Sequence, residues 1–248
     1  PDPAINKGND DHPTFHPGLW LAFGDLSGKD FWRNKAAVRH VRFLEPFVEQ
    51  PGLGRFTVEN EYAGDDTTVV CRERCTYTIR CESPGAYFIS SDSVFQSDTA
   101  DSAFGDQEEM GAGIRLNTPL TVKFGSGKIL NSARGVNEKE TWGRPAAWCG
   151  AVGVVEEKCV GVSLMPAPDN FRPSWFHTRD YGLIVANPFG TKSMTAPNED
   201  GVPLDSTVVK KGTPFRFGWG VYVFGGPAGA DPGFAGAYDR YRKFVEQK

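Results

Sequence analysis

A chain of 248 residues with 29 glycines, 18 prolines and 12% aromatic residues has room for one large β domain, and it lacks long Leu/Ala/Glu/Lys helical blocks. The net charge of −4 supplies no basic footprint for nucleic acid, and no apolar run approaches the roughly 20 residues that a membrane-crossing helix needs. The expectation is a single all-β domain over 1–248 with no nucleic-acid partner and no membrane span.

In chain order, His12 and His16 lie four apart in Pro-rich loop sequence, so helical metal-ligand geometry does not apply to them. Leu19–Phe23 reads as a strand and Gly24–Lys29 as a turn. Asp25, Asp30 and Arg33 then alternate with Trp20, Phe31 and Trp32. Sugar sites combine such groups, stacking rings on aromatics while charged side chains take the hydroxyls. Val38–Phe43 alternates, with Val38, His40 and Arg42 on one face. Strands are expected at Phe56–Tyr62 and Thr67–Cys81 around a Gly64-Asp65-Asp66 turn, and again at Ala86–Phe95.

The segment Phe104–Arg115 is dense in acid at Asp106, Glu108 and Glu109, with glycines that permit close backbone approach. Further strands are expected at Leu120–Phe124, Gly127–Asn131, Glu140–Cys149 and Val160–Met165. In Asn137–Trp148, strand parity would put Glu138, Glu140, Trp142 and Arg144 on one face. Asn170–Gly190 then concentrates a histidine, two arginines and four aromatics. As a strand over Ser174–Val185 it presents Trp175, His177, Arg179 and Tyr181 together, with Asp180 on the other face and Asn187 following. The alternative for this stretch is a buried Arg179–Asp180 pair among packing aromatics. Phe215–Phe224 is the last strand, and Phe234–Gln247 is the one segment with helical spacing.

Five cysteines without a C-x-x-C spacing argue against a zinc ribbon. Cys149 and Cys159 flank an expected hairpin and form the one bridge worth considering; buried free thiols are the equal alternative. The chain opens at Pro1 without a signal peptide, which leaves a periplasmic or secreted location with the leader removed, or a cytoplasmic one.

The stretches FHPGLWLAFGDLSGKDFWR, FGDQEEMGAGIRLNTPLTV, NEKETWG and NFRPSWFHTRDYGLIVANPFG, in this order, closely resemble the PmoA-like family of bacterial proteins, from about His12 to the C-terminal helix. The resemblance implies a large antiparallel β-sandwich similar to galactose mutarotase-like domains, and an association with carbohydrate-degrading bacteria. Family members commonly carry extra N-terminal strands before the His-Pro-Gly-Leu-Trp motif, so edge strands are expected to be missing here. The methane oxygenase label attached to the family does not suit a chain without a membrane span.

The functional expectation is a carbohydrate-active enzyme of glycoside hydrolase or lyase type, working in a concave cleft without a cofactor. His40 and His177 are the proton carriers, partnered by Glu108 or Glu140. His16, Trp20, Asp25, Arg33, Arg115, Trp142, Arg144, Trp175, Arg179, Asp180, Tyr181 and Asn187 are the candidates for holding a saccharide. His177, Arg179 and the acids of Phe104–Arg115 are expected to line one cavity. The alternatives are a non-catalytic sugar-binding module, and a metal enzyme if His12, His16, His40 and His177 converge.

Overall fold

The computed structural model describes residues 16–64, 68–195 and 205–246. The Asp65-Asp66 turn and His12 lie outside them.

In chain order the strands are β1 (Leu19–Phe23), β2 (Ala37–Phe43), β3 (Val48–Gln50), β4 (Leu53–Ala63), β5 (Val69–Ser83), β6 (Ala86–Gln96), β7 (Ser102–Phe104) and β8 (Met110–Arg115). They continue with β9 (Lys128–Asn131), β10 (Arg144–Pro145), β11 (Cys149–Val155), β12 (Lys158–Pro166), β13 (Trp175–Arg179), β14 (Leu183–Asn187), β15 (Thr207–Val209) and β16 (Phe215–Gly226). Helices are α1 (Asn137–Thr141), α2 (Thr191–Thr195) and α3 (Phe234–Glu246). The large sheet runs β2-β4-β5-β6-β16-β12-β11-β9, with β3 also paired to β4; the small sheet runs β1-β8-β14-β13-β10. β7 and β15 form a separate ribbon. Every pairing is antiparallel, as the alternating strand patterns require.

The two sheets face each other across one apolar core. Phe23, Ile114, Phe176, Ile184 and Ala186 from the small sheet meet Tyr62, Cys71, Phe95, Leu164, Phe217 and Trp219 from the large one. Rings interlock there: Phe23 lies edge-on to Phe104 at 5.1 Å and Phe104 stacks on Phe189 at 5.0 Å. Such pairs add about 0.5–1.5 kcal/mol each beyond area burial. The back of the large sheet is covered by α3, whose Phe234, Ala237, Tyr241 and Val245 pack on Phe88, Met165 and Tyr222. The all-β antiparallel sandwich with a C-terminal helix is therefore the architecture, as the period-two runs imply.

Four local expectations are corrected. Glu140–Cys149 is not one strand: its first part belongs to α1, because Trp142 N–H bonds back to the Glu138 carbonyl at 2.9 Å. Leu120–Phe124 is a 3-10 turn and loop, stabilised by Thr121 Oγ1 donating to the Thr118 carbonyl. Ser174–Val185 is two strands, β13 and β14, hinged where Gly182 takes φ +109°, a value favourable only to glycine. A register shift between His40 and Arg42 turns Arg42 to Glu59 on the back of the sheet, while His40 stays with Phe43, 5.0 Å away; one bulged residue switches the parity. Cys149 pairs with Leu164 and Cys159 with Val154, at opposite ends of the β11–β12 ladder, and both thiols are free.

Candidate functional site

Strand alternation gives the small sheet a second, outer face. Leu183 and Val185 pack there with Ala22, Trp32, Trp20 and Tyr181. The ladder aligns Trp20, Gly113, Val185 and His177 in one row and Arg115, Leu183 and Arg179 in the next. The Trp20 indole lies directly on Gly113, where any Cβ would collide with the ring. His16 stacks against both Trp20 (4.7 Å) and Trp32 (4.5 Å), and Arg115 sits over the Tyr181 ring at 5.3 Å. The row pattern thus delivers an aromatic floor at one end and two guanidinium groups toward the other.

His177 is the buried ionisable residue of the first row, 4% exposed. Its Nδ1 lies 3.1 Å from the Glu108 carbonyl oxygen. A carbonyl only accepts, so Nδ1 carries the proton and Nε2 keeps its lone pair. Burial, followed by the positive charge of Arg179, lowers the imidazolium pKa to about 3. At neutral pH the ring is an uncharged hydrogen-bonding post and is poorly matched to carrying a proton.

Arg179, next on the same face, reaches two carboxylates: Nη2 is 3.5 Å from Glu108 Oε2 and Nη1 is 3.6 Å from Glu138 Oε1. Its guanidinium lies over the Trp142 ring at 5.6 Å. The acid is held by a reciprocal clamp: Glu138 N–H donates to Asp180 Oδ1 and Asp180 N–H donates to Glu138 Oε2, each at 2.9 Å. Thr141 and Thr178 bond hydroxyl to hydroxyl at 2.8 Å beneath it, fastening α1 to β13. Beside this cluster opens a cleft of about 740 Å³ lined by Glu138, Lys139, Trp142, Gly143, Arg144, Arg179, Met194 and Thr195.

Of the expected residues, Arg179, Trp142 and Arg144 line the cleft; Glu108 meets it only through Arg179, and the buried His177 does not line it, so His177, Arg179 and the acids of Phe104–Arg115 do not share one cavity. Arg115, Tyr181, Trp20 and His16 lie farther along the same face. Trp175 shares the His177 face of β13, half-buried. Arg33 pairs with Glu109 and Asp30, which anchors the loop after β1 to the acidic segment. Five others serve the backbone. Asp25 accepts from Gly28 N–H at 2.8 Å, closing the turn after β1. Asp180 belongs to the clamp. Asn187, fully buried, accepts from Phe189 and Gly190 N–H and donates to the Gln107 and Glu108 carbonyls. Glu140 turns back to Val136 N–H at 3.0 Å, exposed. Asp106 accepts from Lys192, Ser193 and Asp205 N–H groups, tying down α2.

His40 does not join His177. It is exposed on β2 of the large sheet, against Phe43. His12 lies outside the described residues, and among those described no three His, Cys, Asp or Glu side chains group as a metal site would.

Glu138 and Lys139 are the site residues that the sequence reading passed over. The signal was available: Glu138 and Trp142 are four apart, the spacing of neighbours on a helix, whereas strand parity put Glu138 and Glu140 on one face and gave no ground to separate them. Glu73 is a further surprise. This carboxyl is 4% exposed in the sandwich interior, accepting from Asn60 Nδ2 at 2.9 Å and Ser93 Oγ at 2.6 Å, and burial raises its pKa.

No curated protein matches the chain significantly. Among solved structures it is similar to a chain described as a candidate kojibiose phosphorylase from the human microbiome, at 7% identity and TM-score 0.41, covering 93% of this chain and 25% of that one. It is also similar to an aldose epimerase homologue from C. elegans, at 11% identity and TM-score 0.32, covering 81% and 71%. A galactose mutarotase related enzyme from Lactobacillus acidophilus gives 10% identity and TM-score 0.31, covering 80% and 74%. The chain thus spans a quarter of the length of the first of these; its own strand order and packing are what define the fold. A family model matches residues 4–233, nearly the whole chain, and on that match the protein belongs to the family of unknown function DUF6807.

Proposed function

We propose that this chain is a carbohydrate-active protein that takes a saccharide in the cleft beside α1, and that its chemistry is of hydrolase or lyase type with carboxylates as the acid–base groups. One observation carries the reading: Trp142 offers an aromatic surface to the cleft, while Arg179 stands over it between Glu108 and Glu138. A ring-shaped polar ligand is held by such a combination, its apolar face on the indole and its hydroxyls on the ionic groups. Glu108 and Glu138 replace the histidine pair as candidates, since His40 lies on the other sheet and His177 is held neutral. That neutral imidazole also favours a second reading, a binding module that moves no proton.

The test is a panel of neutral and acidic oligosaccharides, read by calorimetry and by product formation. Trp142→Ala is expected to weaken binding about tenfold or more. Under the enzyme reading, Glu108→Gln or Glu138→Gln cuts turnover by about 10²–10⁴ while leaving binding within roughly tenfold. Binding without any turnover leaves the module; binding indifferent to Trp142→Ala removes the cleft from both readings.

A further inference from the structure

Resting on the saccharide reading of the same cleft, we infer that its ligand is an acidic saccharide, one whose ring carries carboxylate or sulfate groups. The lining holds three cations, Lys139, Arg144 and Arg179, against one carboxylate, Glu138, with Glu108 reaching Arg179 from outside the lining, on a chain whose overall charge is −4. A concentration of positive charge against the sign of the whole molecule is a local feature that the net charge does not explain. A cleft with protein walls focuses that field on whatever enters it.

The one acid of the lining already has backbone and guanidinium partners. Glu138 Oε2 accepts the Asp180 N–H at 2.9 Å and Oε1 faces Arg179. The cations are not spent to the same degree. Arg179 approaches its two carboxylates at 3.5 and 3.6 Å, beyond the 2.7–3.2 Å of a hydrogen bond. The bond it does donate goes to the carbonyl of its neighbour Thr178, at 3.2 Å. Arg144 and Lys139 are exposed and engage no carboxylate among the described residues. The cleft therefore presents guanidinium and ammonium donors with unfilled capacity around an indole surface. A neutral sugar would use the surface and leave the charges to water. An acidic one fills both, with a fork available for bidentate contact to a planar carboxylate or to two sulfate oxygens.

The experiment titrates the full chain, by calorimetry, with a galacturonate trisaccharide, its methyl-esterified counterpart, a sulfated galactose trisaccharide and a neutral cello-oligosaccharide. At least one acidic probe is expected to bind ten times or more tighter than the esterified, uncharged one, with severalfold weakening between about 50 and 300 mM salt, over which the Debye length shortens from about 14 to about 6 Å. Arg144→Gln and Lys139→Gln should each weaken that probe about three- to tenfold without changing the Tm, since both side chains are exposed. The carboxylate and sulfate arms identify which anion is preferred. Equal binding of the esterified and acidic trisaccharides, both lost in Trp142→Ala, overturns the acidic ligand and keeps the saccharide cleft. Acidic-probe binding untouched by Arg144→Gln and Lys139→Gln also overturns it, as the charges would not be acting here. If no saccharide binds at all, both readings fall.

Discussion

The neutral state of His177 makes a thermodynamic prediction that does not depend on knowing the ligand. In the folded protein its pKa falls from 6.5 to about 3, so the native state refuses a proton that the unfolded chain accepts near pH 6.5. Between those values the unfolded state binds more protons, and stability must rise with pH. The contribution is fully present above pH 6.5 and is lost as the pH drops toward 3. With 1.36 kcal/mol per unit, the 3.5-unit difference is worth about 5 kcal/mol at the acid end, and about 2 kcal/mol is already gone at pH 5. The direct assay is urea unfolding of the wild type and of His177→Asn at pH 7 and pH 5. Asparagine can offer its amide hydrogen where Nδ1–H donates to the Glu108 carbonyl, but it does not titrate. The wild type is expected to lose about 2 kcal/mol more than the variant between the two pH values. Every other titrating group is shared and cancels in that difference. Parallel pH dependences, or an imidazole resonance of His177 titrating near pH 6, would refute the neutral-post assignment and restore His177 as a proton carrier.

Two further substitutions probe polar groups inside the sandwich. Glu73 has its pKa raised by burial, against the hydrogen bonds from Asn60 and Ser93, so its contribution is present at low pH and lost as pH rises through the folded value. Glu73→Gln keeps an acceptor and removes the charge, and urea melts should show it stabilising, more at pH 8 than at pH 5; a loss of stability at both would mean the carboxylate is wanted in the core. Asn187→Ala strips the tether of the Gln107–Glu108 carbonyls and two N–H donors at a site without solvent, and is expected to cost about 3 kcal/mol or more in a thermal melt, with a change under 1 kcal/mol arguing that the loop is held elsewhere.

The strands were legible because a half-buried strand has only one way to bury its apolar residues, and alternation records it. β1, β6, β12 and β16 fall within a few residues of the sequence reading for that reason. What alternation cannot record is a local break in its own phase. The bulge at His40/Arg42 reverses parity, and the turn at Gly182 reverses chain direction while leaving parity intact, each without a composition signal strong enough to override the run. The short α1 was lost similarly: five residues carry too few helical repeats to outweigh Glu-x-Glu-x-Trp-x-Arg, which satisfies strand parity by chance. The polar residues divide on a different rule. Asp25, Asp106, Asn187 and Glu140 all sit beside turns or helix ends, where the nearest unsatisfied groups are the chain's own N–H and C=O. Position beside a turn does not decide the matter alone: Arg179 ends β13 at its turn and Trp142 follows α1, yet both line the cleft, whereas His177, within β13, is engaged by the Glu108 carbonyl.

That division also accounts for how the cleft keeps its shape. Arg179 is fixed from below by the rows of the small sheet, since Leu183, its ladder partner, is buried in the outer-face apolar cluster. Trp142 is fixed from the side, at the C-terminal end of α1, a helix too short to be stable alone. What holds α1 is the Glu138–Asp180 exchange of hydrogen bonds and the Thr141–Thr178 contact, both made to β13 and the turn after it. The same strand that carries Arg179 therefore positions the indole that Arg179 covers. Asp180 accordingly positions the Trp142–Arg179 pair through α1. Removing its carboxylate frees the first turn of α1 and with it the spacing between the aromatic surface and the guanidinium, so the charge of the cleft persists while its geometry is lost.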